Sequence, residues 1–180
     1  MPHKPLLLML SALVAGCAAS PPPLPSVAHV DLSRYAGSWY VIASIPTWIE
    51  KDTVNAIEHY ELAPDGSIPA TFSYRRKRFD APLKTLSSTA TVVDHVSNAE
   101  WAVQFVWPFK AEYRIAWLAA DYAQVIVARS KRDYVWYMAR TPSVSDADFA
   151  AARRRIAELG YDVAQLVRVP QRGPDAPAAR

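Results

Sequence analysis

The sequence predicts a mainly β domain: an eight-stranded up-and-down antiparallel β-barrel with a C-terminal α-helix packed on its outside. Three observations lead to it. Apolar and polar residues alternate with period two through most of the chain, turn-like separators cut that pattern into about eight segments, and one helical pattern follows near the C-terminus. An antiparallel sheet of this size avoids exposed edges most simply by closing on itself.

The first strand is read from Trp39, Val41, Ala43 and Ile45, which alternate with polar or small neighbours. The others follow as Val54 to Leu62, Ile68 to Arg78, Leu86 to Val93, Trp101 to Trp107, Tyr113 to Leu118, Tyr122 to Ala128 and Tyr134 to Arg140. Asp65-Gly66, Ser97-Asn98 and Lys131-Arg132-Asp133 favour tight turns, so consecutive strands are expected to be hairpin neighbours. The longest gap, Pro46 to Thr53, predicts a loop over one end of the barrel. Ser145 with Asp148 then marks a helix start, Phe149, Ala152, Ile156 and Leu159 recur at helical spacing, and Gly160 ends the pattern. Arg153 to Arg155 complement the negative end of the helix dipole, and Tyr161 to Val169 is strand-like again.

The chain has 180 residues, room for one domain, expected at 30–170. Its ends differ in composition. Residues 1–16 hold a short basic start and an apolar run, Leu6 to Ala15, that is brief for a bilayer span and fits a cleaved leader. Residues 17–29 contain Pro21, Pro22, Pro23 and Pro25 and read as an extended linker, and 171–180 as a disordered tail. The net charge of +3 is small, and the basic runs at 75–78 and 153–155 come with no nucleic-acid fold signature, so no nucleic-acid partner is expected.

Leu13-Val14-Ala15-Gly16-Cys17 resembles the lipobox of bacterial lipoproteins. That resemblance implies acylation of Cys17 and a lipid anchor in the membrane, and Ala18 rather than Asp after the cysteine implies the cell outer membrane. Three further segments resemble the lipocalin family: Gly37-Ser38-Trp39-Tyr40, Ala120-Asp121-Tyr122, and Arg140 in Ala139-Arg140-Thr141-Pro142. The match is to the subgroup of bacterial outer-membrane lipocalins, and its one departure is Ala120 where many relatives carry Thr. It implies that Gly37, Trp39, Asp121, Tyr122 and Arg140 are structural, with Arg140 crossing the barrel floor to stack on Trp39.

Alternation also nominates a lumen lining: Val41 and Ala43, Val54 and Ala56, Phe72 and Tyr74, Val103 and Phe105, Tyr113 and Ile115, and Trp136 and Met138. A bulge in any strand inverts this parity beyond it. Such a lining is apolar with a few phenolic hydroxyls and suits a lipid-like ligand, a fatty acid or lysophospholipid, with Lys51, Arg76 or Arg78 meeting an anionic head group at the open end. A ligand-free structural envelope lipoprotein and a lipocalin-fold enzyme are the alternatives. His3, His29, His59 and His95 are scattered and Cys17 is the sole cysteine, so neither a metal site, a cofactor nor a catalytic residue is expected. The sequence leaves a homodimer open.

Overall fold

A computed structural model describes residues 23–172. A short helix, α1 (Leu32–Tyr35), leads into eight strands: β1 (Gly37–Ile45), β2 (Thr53–Tyr60), β3 (Ile68–Arg76), β4 (Lys84–Val92), β5 (Glu100–Val106), β6 (Phe109–Leu118), β7 (Gln124–Ala128) and β8 (Val135–Ala139). Helix α2 (Asp146–Glu158) and a two-residue strand, β9 (Val167–Arg168), follow. Neighbouring strands pair antiparallel in chain order, β8 returns to β1, and β1 also pairs with β2, so the barrel is closed.

Closure is incomplete along β1. Its first half, Gly37 to Tyr40, pairs with β2, but beyond Tyr40 and Ile57 the two strands part. The C-terminal segment enters the gap: Ala43 and Ser44 pair with Arg168 and Val167, the Val169 amide donates to the Ile42 carbonyl, and the Asn55 amide donates to Pro170. The Gln171 side chain then spans the opening, its Nε2 donating to the carbonyls of Val41 (2.8 Å) and Ala56 (3.0 Å), while the Arg172 amide reaches Asn55 Oδ1. Backbone groups orphaned by the divergence are satisfied by this one segment.

Both strands carry a bulge at that point, between Val41 and Ala43 in β1 and between Val54 and Ile57 in β2, where Asn55 has φ +47°. Each extra residue inverts the side-chain parity that follows.

Two apolar cores result. The interior one includes Trp39, Phe72, Trp101, Ile115 and Met138. The second lies between the barrel wall and α2, where Ile42, Ile126 and Tyr137 meet Ala152 and Ile156. Ser145 caps α2 by accepting from the Asp148 amide, and Arg155 lies 4.5 Å over the Trp117 ring.

Strand ends shift by one or two residues from the sequence reading, β6 starts four residues earlier at Phe109, and four further differences have identifiable causes. Residues 24–29 pack on the barrel instead of forming a spacer: Leu24 is buried against the helix-side core, the Val27 amide donates to Ile115, and Ser26 donates to Glu100. Gln171 and Arg172, expected in the tail, belong to the closure, and the rest of the tail, the leader and Cys17 lie outside the described residues. Only Val167–Arg168 of the expected Tyr161–Val169 strand is extended, because the Tyr161 hydroxyl is tied to the backbone of Arg129 and Tyr134 and Asp162 closes a turn on Ala164. Tyr122 sits at φ +61° in the β6–β7 turn, so β7 starts at Gln124.

Gln171→Ala is expected to destabilise the fold by about 1–3 kcal/mol, since it strips two carbonyls of their donor. Urea unfolding measures this; a loss under about 0.5 kcal/mol would mean that the amide does not hold the seam.

Candidate functional site

One end of the barrel is sealed by a single cation. The Arg140 guanidinium stacks 3.8 Å from the centroid of the fully buried Trp39 ring. It donates to four backbone carbonyls, Arg34, Tyr35, Ala36 and Ser38, at 2.7–3.0 Å. Gly37 lies beside it at φ +96°, a backbone conformation that favours glycine. The indole N–H donates to the Tyr35 carbonyl. Asp121 accepts from the Ala123 amide and Tyr122 accepts from the Asp31 amide, with Arg34 4.0 Å over its ring. These residues fasten α1 across the floor.

Above the floor lies an aromatic layer. Tyr35, Tyr60, Trp101 and Tyr113 pack at ring separations of 4.8–6.0 Å, with Trp101 and Tyr113 stacked. Tyr35 and Tyr113 share a hydroxyl hydrogen bond of 2.7 Å, and Tyr113 donates to Tyr60 at 2.9 Å. Burial pushes all three phenols up, so they stay protonated at neutral pH.

Of the expected lining, Val41, Ala56, Phe72, Tyr74, Val103, Tyr113, Ile115 and Met138 belong to the interior core, and the half-buried Trp136 packs against it. Phe105 is half exposed at the rim. Ala43 and Val54 are corrected to the outer face. Ala43 stands opposite the outward Tyr137, and Val54 opposite Arg75, whose neighbour Tyr74 points in. The two bulges at the seam are the cause, and Ser44 and Thr53 take up the inward places instead.

Tyr35, Tyr60, Trp101 and Glu58 were not among the expected lining. Glu58 is the consequential one. It stands opposite Trp39 on one side and Phe72 on the other, both interior residues, so its carboxyl enters the lumen just above the floor. No hydrogen bond or ion pair reaches it from the described residues, and burial first, then the charge of Glu50, raises it to about 8. Glu50, on the β1–β2 loop, is well partnered: it accepts from Trp136 Nε1 (2.5 Å) and the Thr47 amide (2.8 Å). The signal for Glu58 was present, because the alternation that places Ala56 and Tyr60 inside places residue 58 there too. His59 points outward instead, bonded to Ser38 and 3.9 Å from Glu61.

A family model for the lipocalin-like domain matches residues 30–171. The chain belongs to the lipocalin-like family. Relatives of this lipocalin include the outer membrane lipoprotein Blc of Citrobacter freundii, 29% identical over 89% of this chain and 92% of that one. Temperature-induced lipocalin-1 of Arabidopsis thaliana is 27% identical over 81% of each chain. Among solved structures, insecticyanin from the tobacco hornworm Manduca sexta shares the fold with a TM-score of 0.64 at 13% identity, covering 82% of this chain and 84% of that one.

At the other end of this lipocalin's barrel a cleft of about 840 Å³ opens along the seam, lined by Ser44, Glu50, Thr53, Val54, Val167 and Val169. Of the cations expected to meet a head group there, Arg76 is engaged: it donates to the Ile49 and Lys51 carbonyls and so holds the β1–β2 loop. Arg78 pairs with Asp80 at 3.1 Å, and Lys51 is exposed.

Trp39→Ala should destabilise by about 3–5 kcal/mol, and Arg140→Ala less. A double-mutant cycle should return a coupling of at least about 0.5 kcal/mol; additivity would separate the two side chains. Glu58 supplies a pH signature. Its folded value lies above its unfolded one, so the native state holds a proton that the unfolded chain releases, and stability falls as pH rises from about 4.5 to about 8. Glu58→Gln should therefore match the wild type near the lower limit and exceed it by on the order of 2 kcal/mol at the upper, read by denaturant titration at both.

Proposed function

We propose that this lipocalin is a carrier, held on the outer membrane through acylated Cys17, that binds a single lipid-like ligand, a fatty acid or lysophospholipid, by its acyl chain. The observation that supports the reading best is the polarity of the barrel: one end is sealed by Arg140 and Trp39, while the opposite end carries the cleft and the half-exposed Phe105. A chain entering from the open end runs along the interior core, where Val103 and Met138 lie and against which Trp136 packs, toward the aromatic layer. Burying it contributes about 25 cal/mol for each Å² of apolar surface, enough for micromolar binding after association costs.

The anchor rests on the lipobox and on relatives described as outer membrane lipoproteins. No helix among the described residues is long and apolar enough to cross a membrane. Lys51 and Arg78 stand free of backbone duties near the mouth and suit an anionic head group.

Titration with palmitic acid or a lysophospholipid should change the intrinsic fluorescence saturably, because Trp136 adjoins the interior core. Val103→Trp should abolish that change while leaving the fold intact. A folded protein without saturable binding to either probe would leave a structural role in its place. Cys17→Ala should release the protein from the membrane; firm retention at high salt would refute the anchor.

A further inference from the structure

A lumen built only for an acyl chain has no use for Glu58. Its carboxyl lies deep in the barrel, between the Trp39 and Phe72 positions, where nothing but lumen remains for its half-buried surface to face. Its oxygens are not among the buried side-chain atoms that lack a partner, so the carboxyl keeps an accessible surface that a ligand in the lumen can reach. Among the described residues none supplies a donor or a cation to it, and the one charge that acts on it is the acidic Glu50. Two residues further along the same face of β2 is Tyr60, the end of a hydroxyl chain running from Tyr35 through Tyr113. With Tyr113 donating to it, the Tyr60 O–H has no acceptor among the described residues and is available to a ligand.

Resting on the carrier reading above, we propose that Glu58 is a ligand-recognition group and that the preferred ligand is an amphiphile with a hydroxyl at its buried end. That hydroxyl donates to a Glu58 carboxyl oxygen and accepts from the Glu58 O–H or the Tyr60 O–H. The choice of an alcohol follows from the balance of donors and acceptors. Burial and Glu50 keep Glu58 protonated at neutral pH, so it offers one donor and one acceptor and carries no charge to attract an ammonium. A ligand carboxylate is disfavoured at that depth by Glu50, and a bare methyl terminus leaves the carboxyl unsatisfied. An alcohol satisfies both of its functions. Sites that hydrogen-bond a ligand hydroxyl discriminate strongly against the analogue lacking it, because the unpaired protein group is then buried.

The test compares palmitic acid with its terminally hydroxylated counterpart, ω-hydroxypalmitic acid, at neutral pH on the purified protein, with the alkylamine of equal length as a third probe. Wild type should bind the hydroxylated acid at least about tenfold more tightly than palmitic acid. Glu58→Leu should erase that preference and tighten palmitic acid, whereas Glu58→Gln, which keeps a donor and an acceptor, should retain it. Equal binding of the two acids by wild type, or a preference that survives in Glu58→Leu, overturns the proposal while leaving the carrier reading in place. Tightest binding of the alkylamine, lost in Glu58→Gln, overturns it in favour of a charged partner. Failure of wild type to bind any of the three removes the carrier reading and this proposal together.

Discussion

The contact on which the rest of this structure depends is the seat of Arg140. One guanidinium gathers four carbonyls from the segment Arg34 to Ser38 and lies flat on Trp39, so it ends α1, starts β1 and seals one mouth of the barrel. Backbone carbonyls at the end of a short helix need donors, and a planar cation with five N–H groups meets several at once where a lysine would meet one. With this end closed, every polar feature of the lumen acquires a depth measured from the open end. Glu58 owes its position to this arrangement, because Trp39 and Glu58 are register partners in the one stretch where β1 and β2 stay together.

The second constraint lies at the other end of the same strand pair. Beyond Tyr40 and Ile57 the strands diverge, and an open sheet edge inside a barrel wall leaves carbonyls without donors. The chain answers with its own C-terminus: β9, Val169, Pro170, Gln171 and Arg172 occupy the gap. The bulges at Ile42 and Asn55 are the local price of the divergence, and they turn Ala43 and Val54 outward. The cleft lies along this seam, where the sheet is held by two short strand pairings and one glutamine side chain. A seam of that kind is among the least protected parts of a barrel.

Most of the fold was legible because period-two alternation survives wherever a strand has one apolar face. Strand order and the outer helix with its Ser145 cap leave marks in residue type and spacing, and the floor residues Gly37, Trp39 and Arg140 were legible through the resemblance to the lipocalin family. The exceptions have physical causes. Bulges carry no reliable signature in one sequence, so lining parity failed at Ala43 and Val54 while it held at Phe72 and Tyr74, in a strand without a bulge. Pro-rich residues near Leu24 look like a spacer because their packing depends on a helix-side core built by distant residues. Gln171 sits in a stretch rich in Pro, Gly and Ala, and only the tertiary gap between β1 and β2 gives its amide something to bind.

Glu58 was missed for a different reason, since alternation alone places it inside. A charged residue in an otherwise apolar row reads as a surface residue, and its neighbour His59 draws attention to chemistry that the strand geometry rules out by sending the two side chains to opposite faces. The protein keeps this carboxyl at a cost: between the unfolded and folded values, protonation must be bought from solvent for the barrel to form. Replacement by an apolar residue of similar size would remove that cost, and proteins retain such destabilising groups chiefly where a binding partner uses them. The aromatic layer below supports the same conclusion. Tyr35 and Tyr113 share a hydrogen bond, and Tyr60 accepts from Tyr113 at the end of the chain, two residues from Glu58 on the same face of β2. A floor meant only to exclude water needs no such gradient of polarity; one that receives the polar end of a ligand does.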